Sequence, residues 1–289
     1  MTERWLVLTV RSPSDELTPL LAEGLVTLSG NAVLEEGDLL STSVAATASE
    51  RDTLLARARD ALSAIAGTRL EVGAEWRAAE DWSEQWRRGL APRRVGERLV
   101  VTPSWCSPDS RPGDVVLVID PEMAFGTGEH ATTRGALRLL ERVLTPGADV
   151  LDIGTGSGIL AIAAALLGAR RVDAPELDAD ALPYARANVA RHGVTDRIDL
   201  EHAAVDAAYL DMRAATYDVI TANLLSGVLR PLLPAMHRAL RPDGVMILGG
   251  ILADEADGMT AAAREARLAL RAEDREDEWW TALFARHSS

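Results

Sequence analysis

The chain contains no lysine, and all thirty of its basic residues are arginine. The codon bias of a high-GC genome accounts for this without a functional role. Cysteine is reduced to Cys106, which excludes an internal disulfide, and the histidines at 130, 192, 202, 237 and 287 show no paired metal-ligand spacing. Both features fit a reducing cytoplasm and a protein without a metal. No apolar run reaches the roughly 18 residues of a membrane span, and the opening MTERWLVLTVRSPSDEL lacks the long apolar stretch and small-residue cleavage site of a signal peptide. Neither secretion nor membrane insertion is expected. Positive charge is also in deficit, with 30 basic against 44 acidic residues and a net charge of −14. Such a surface repels a phosphate backbone, so direct nucleic-acid binding is not expected, whereas a basic protein partner is easily accommodated.

What is present is ample core-forming material: 289 residues, 47% hydrophobic and 26% charged, more than one small core usually organises. Two domains are expected. In residues 1–75, the strand-like run at 5–10 precedes a helical spacing of Leu17, Leu20, Leu21, Leu25 and Leu28 within 14–28. Strands at 32–36 and 39–46 flank a Gly37-Asp38 turn, Ser49 is placed to cap a helix over 50–65, and 69–76 closes the unit as a strand. The order βαββαβ predicts a small ferredoxin-like α+β domain. Residues 76–95 read as a linker helix, with Trp82 and Trp86 four apart on one face before Pro92 ends it. These indoles serve either to pack the helix on a neighbouring domain or to contact a substrate.

Residues 96–289 alternate strand and helix. Two strands at 98–105 and 115–120 lead into a helix at 130–143, strand 148–153, helix 158–167, strand 171–177, helix 179–192 and strands at 197–201 and 217–222. A helix at 225–240, strand 244–248, helix 252–268 and two strands near 271–286 complete the pattern, which predicts a mostly parallel sheet covered on both faces. Within it, VLDIGTGSG ends a strand in a glycine turn: Gly154, Gly156 and Gly158 let the backbone turn tightly and leave room for a ligand at the next helix N-terminus. Ile159 breaks the dinucleotide fingerprint at its third glycine. Glu176, 22 residues beyond Gly154 at the end of the next strand, is placed to accept both hydroxyls of a ribose. Asp178 is the rival for that role, or the cap of a helix starting at Ala179. Turn and acid together indicate an adenosine-type cofactor.

LDIGTGSG, ELDADAL and YDVITANLL together resemble the class I S-adenosylmethionine-dependent methyltransferases. The block IDPEMAFGTGEHATTRGAL upstream of the glycine turn is more specific, and resembles the signature of the ribosomal protein L11 methyltransferase (PrmA) family. DWSEQWRRGLAPRRVGERLVVTPSW, GGILADE and EWWTALFAR extend the similarity across most of the chain. The resemblance implies a Rossmann-like methyltransferase domain with a mostly parallel seven-stranded sheet, S-adenosyl-L-methionine as cofactor and ribosomal protein L11 as partner. It places Thr133, Gly154, Gly156, Glu176 and Asn223 at the cofactor, and Phe125, Gly126 and Thr127 in a covering loop hinged at Gly128. Asn223 is in addition the candidate catalytic residue, beside the reacting methyl. His130 either bonds the loop backbone or transfers a proton, and Asp206 falls where many class I enzymes bind adenine. Three residues depart from the pattern: Pro175 in an interior strand, expected to shift the neighbouring carboxylate, and Glu129 and Ala131, which leave the glycines and Thr133 in register.

Methyl transfer from a sulfonium to an amine is an in-line displacement, so alignment and partial desolvation are the main requirements. The expected activity is N-methylation of lysine side chains or the N-terminal α-amine of L11. The alternatives are a related lysine methyltransferase with another protein substrate and, from a different class, an NAD-dependent oxidoreductase, which Ile159 and the AFGTG block disfavour. A non-catalytic scaffold is disfavoured because Thr133, Gly154, Glu176 and Asn223 are all present. No oligomeric state is specified.

Overall fold

A computed structural model describes residues 4–14, 17–29, 31, 33–44, 46–47, 50–78, 91–120 and 128–286. The chain divides into two compact units, Met1–Leu90 and Ala91–Ser289. Ser49 and most of the segment read as a linker, including Trp82 and Trp86, lie outside the described residues.

In the first unit, β1 (Arg4–Arg11), α1 (Thr18–Ser29), β2 (Val33–Glu36), β3 (Leu39–Val44), α2 (Arg51–Ala66) and β4 (Val72–Ala78) give the βαββαβ order. The sheet runs β2-β3-β1-β4 with every pair antiparallel. Period-two alternation in β1 puts Leu6, Leu8 and Val10 in one core with Leu21 and Leu25 of α1 and Leu62 of α2. Helix α1 starts later than its leucine spacing suggested, because Ser14 is held in a turn, its carbonyl accepting from Ser12 Oγ and Leu17 N. At the start of α2, the Glu50 carboxylate accepts from Thr47 N and Oγ1 at 2.8 and 2.7 Å.

The second unit opens with a separate three-stranded sheet of β5 (Arg93–Arg94), β6 (Leu99–Thr102) and β7 (Val115–Val118). The main sheet contains β8 (Asp149–Ile153), β9 (Arg171–Glu176), β10 (Ile198–His202), β11 (Tyr217–Asn223), β12 (Leu240–Leu252), β13 (Leu268–Glu276) and β14 (Trp279–Arg286). Its order is β10-β9-β8-β11-β12-β14-β13, parallel from β10 to β12 and antiparallel through β14 and β13. Helices α3 (Ala131–Val143), α4 (Ile159–Leu167), α5 (Leu182–Arg191), α6 (Ala207–Asp211), α7 (Ser226–Ala239) and α8 (Ala256–Glu265) connect them. One core joins Leu137 and Leu140 of α3 to the alanine-rich α4, and another joins α7 and α8 to Trp280 and Phe284. The architecture is that of a class I methyltransferase domain. Strand order reverses at β8, so the crevice at the carboxyl ends of β8, β9 and β11 is where a ligand fits.

Some boundaries differ from the sequence pattern. Helix α5 begins at Leu182, since a turn occupies 178–181. Strand β12 spans 13 residues, and a short 3-10 turn at Ala253–Glu255 separates it from α8. The five-residue α6 was not foreseen.

Candidate functional site

The floor of the crevice is the glycine turn. Gly154, Gly156 and Gly158 have φ of 69°, 55° and 84°, a left-handed region that side chains rarely tolerate. At Gly154 a Cβ would also come within 2.8 Å of Leu224 Cδ2. Asp152, fully buried at the end of β8, holds the turn by accepting from Thr155 Oγ1 at 2.7 Å and from Thr221 Oγ1 of β11 at 2.6 Å. Burial pushes its carboxyl above the ordinary range, opposed by these hydrogen bonds. The Pro175 carbonyl accepts from Gly154 N at 3.0 Å and Thr155 N at 3.4 Å. Pro175 stays within β9 as the cross-strand partner of Glu201 on β10, and on the β8 side its carbonyl fixes the turn.

Glu176 follows with both carboxylate oxygens engaged, Oε2 accepting from Gly156 N at 2.8 Å and Oε1 from Asp178 N at 2.9 Å. Next to Pro175, the Glu176 carboxylate is fastened to the turn. Each oxygen keeps lone-pair capacity for a further donor, as two ribose hydroxyls require. Asp178 does not cap a helix starting at Ala179; its Oδ1 accepts from Asp180 N at 2.9 Å and closes the turn before α5. Asp206 is the N-cap of α6, its Oδ1 accepting from Tyr209 N at 2.8 Å.

Further groups come from α3 and from residues far along the chain. His130 caps α3, its Nδ1 accepting from Thr132 N at 3.4 Å and lying 2.8 Å from Thr132 Oγ1. The backbone group that His130 holds is thus in the first turn of α3. Thr133 is fully buried, and its Oγ1 accepts from Asn223 Nδ2 at 3.4 Å. Asn223 Oδ1, at the end of β11, is buried with no hydrogen-bond partner. The Trp279 indole meets the His130 ring edge-on, with centroids 4.8 Å apart.

These groups line one cavity of about 510 Å³, with Glu176, Asp178, His130, Asn223 and Trp279 among its lining residues. Gly154 and Gly156 also line it. Of the candidates from sequence, Gly154, Gly156, Glu176 and Asn223 thus share one space, whereas Thr133 reaches it through Asn223. Phe125, Gly126 and Thr127 lie outside the described residues. Thr132, Leu224, Gly250 and Trp279 were missed. Strand periodicity carried one usable signal, because Trp280 is buried and its neighbour must face the other side of β14. A carboxylate fixed on a glycine turn, in a cavity that an asparagine also lines, suits a nucleoside with a polar reactive end.

A family model described as "Ribosomal protein L11 methyltransferase (PrmA)" matches residues 27–287. The chain is 38% identical over 315 residues to a ribosomal protein L11 methyltransferase of Pelobacter propionicus, covering 99% of both chains. A protein of the same name from Pelotomaculum thermopropionicum is 42% identical over 207 residues, 72% of this chain and 66% of its own length. Among solved structures, a ribosomal protein L11 methylase from Lactobacillus delbrueckii subsp. bulgaricus superposes with a TM-score of 0.61 at 30% identity, covering 68% of this chain and 99% of the other.

Proposed function

Because the chain belongs to the ribosomal protein L11 methyltransferase family, we propose that it transfers methyl groups from S-adenosyl-L-methionine to amino groups of ribosomal protein L11 in the cytoplasm. The observation that carries the site assignment is Glu176, bound to the Gly156 amide at 2.8 Å in a cavity that Asn223 also lines. The cofactor supplies an electrophilic methyl on a sulfonium centre. Glu176 accepts from the ribose, Gly154 and Gly156 allow close approach, and Thr132 and Thr133 with the first turn of α3 favour the carboxylate end. Phe125, Gly126 and Thr127 are assigned to the loop that covers it.

The Asn223 side chain and local backbone carbonyls orient the amine so that its lone pair points at the methyl. The acceptor must be a neutral amine, which an α-amino group with a pKa of about 7.7 to 8.0 provides more readily than lysine at about 10.4. Water removes the proton. The βαββαβ unit, which lacks a glycine-rich turn, recognises the protein substrate.

Incubation with tritiated S-adenosylmethionine and purified ribosomal proteins, followed by mass mapping, tests this function. Label on amines of L11 is expected. Because the chain has no lysine of its own, methyl-lysine in the mixture must come from the acceptor. Label on another protein alone selects the related lysine methyltransferase, and binding of NAD without S-adenosylmethionine selects the oxidoreductase.

A further inference from the structure

Arg134, on the first turn of α3, is 7% exposed and bridges two segments distant in sequence. Its Nη1 donates to the Glu129 carbonyl, directly before His130. Its Nε donates to Glu276 Oε1 at 2.9 Å, and Nη2 donates to the same oxygen. Glu276 ends β13 and is the cross-strand partner of Trp279 in the β13–β14 hairpin. The second carboxylate oxygen of Glu276 accepts from Arg138 Nη2 at 2.6 Å, and Arg138 also forks onto Asp274 at 2.8 and 2.5 Å. Helix and hairpin are pressed together at Gly135, where a Cβ would come within 2.6 Å of Thr281 Oγ1.

From this geometry we infer that Arg134 is a positioning residue for methyl transfer, its forked guanidinium fixing the contact of His130 with Trp279 in the cavity wall. One arm holds the backbone that carries His130, and the other holds the hairpin that carries Trp279. The two rings, 4.8 Å apart, form a wall of the cavity that also exposes Asn223. The inference rests on the methyltransferase function proposed above. A wall set by a rigid fork keeps the incoming nitrogen in line, and a small displacement there costs rate without loosening the cofactor at Glu176. Lysine cannot replace this fork, because a single ammonium on a flexible stem does not span both acceptors in fixed geometry.

The full-length protein and three variants provide the test: Arg134→Lys, Glu276→Gln and, as a comparison, Arg241→Lys. Arg241 forks onto Asp218 and Asp149 at 2.5 and 2.8 Å, at the amino ends of β11 and β8. The first readout is the His130 ring signal in heteronuclear NMR, identified by its disappearance in His130→Gln and displaced by the Trp279 ring current. The second is single-turnover methyl transfer to L11, with the Kd for S-adenosylmethionine from calorimetry. Arg134→Lys and Glu276→Gln are expected to move the ring signal toward its unshifted position and slow transfer about tenfold, with Kd changed less than about twofold. Arg241→Lys is expected to lower Tm and leave the ring signal and the rate at parental values. A ring signal unmoved by Arg134→Lys, or moved equally by Arg241→Lys, overturns the inference. A parental protein that leaves L11 unmethylated overturns the substrate assignment instead, and the ring signal still decides whether Arg134 sets the spacing.

Discussion

Glu176 performs two tasks with one carboxylate. It closes the glycine turn through the Gly156 amide and offers its remaining lone pairs to the cavity. Hydrogen bonds to a charged acceptor contribute roughly 1.5 to 3 kcal/mol. Glu176→Ala should therefore weaken S-adenosylmethionine binding by about one to two orders of magnitude in calorimetry. Unchanged affinity would transfer the ribose to Asp178, which lines the same cavity. Glu176 was legible in the sequence because strand length and turn length fix its distance from Gly154. Trp279 was not, because its approach to His130 depends on strand order across about half the chain, which no local pattern encodes.

Among the elements, the link between β7 and α5 carries a titratable group. His192 Nε2 accepts from Val118 N at 2.9 Å, and its Nδ1 donates to the Asn188 carbonyl at 2.7 Å, so the ring is neutral. The neighbouring charges are Arg191, on the same element, and Asp120, which Arg191 binds at 2.8 Å. Burial, aided by Arg191, lowers the pKa of His192 from 6.5. A lowered value in the folded state means that the contribution to stability is complete above 6.5 and is lost as pH falls below it. Protonation replaces an acceptor with a donor facing the Val118 amide. Between pH 7 and pH 5 the Tm of the parent should fall by about 2 to 4 °C more than that of His192→Gln, the shift expected for loss of about one hydrogen bond in a domain of this size. Equal slopes in the two proteins would show that His192 does not couple these elements. His237, whose pKa burial also lowers, is common to both proteins and cancels in the comparison.

The same scale shows what periodicity reveals. Long strands and helices were readable because apolar spacings define one buried face, as in α7, where Leu229, Leu232, Leu233 and Met236 are buried, and in β3, where buried and half-buried residues alternate. The five-residue α6 is too short for a period, and only its cap, Asp206, marks it. That β5, β6 and β7 form their own sheet, apart from the main one, is a matter of pairing between distant segments, which their apolar runs do not specify.

At the scale of the whole molecule, the two units divide at Leu90 and Ala91, and the described cavity lies entirely within the second. A chain starting at Ala91 should bind S-adenosylmethionine with near-parental Kd and lose methylation of intact L11, as measured by tritium transfer. Full transfer by the shortened chain would assign substrate recognition to the second unit. The net charge of −14 adds a salt dependence to the encounter with a basic acceptor, since exposed charges are screened over about 8 Å at physiological ionic strength.

The central claim is that one cavity holds the cofactor at Glu176 and aligns the acceptor at Asn223. Single-turnover transfer to saturating L11, measured with cofactor Kd for the parent and for Asn223→Ala, tests it most directly, because slow product release cannot mask the chemical step. An amide oxygen that acts mainly in the transition state predicts a rate lowered by about 10² or more with a smaller change in Kd. A variant that transfers methyl at the parental rate but binds S-adenosylmethionine poorly would make Asn223 a cofactor-binding residue only and contradict the claim.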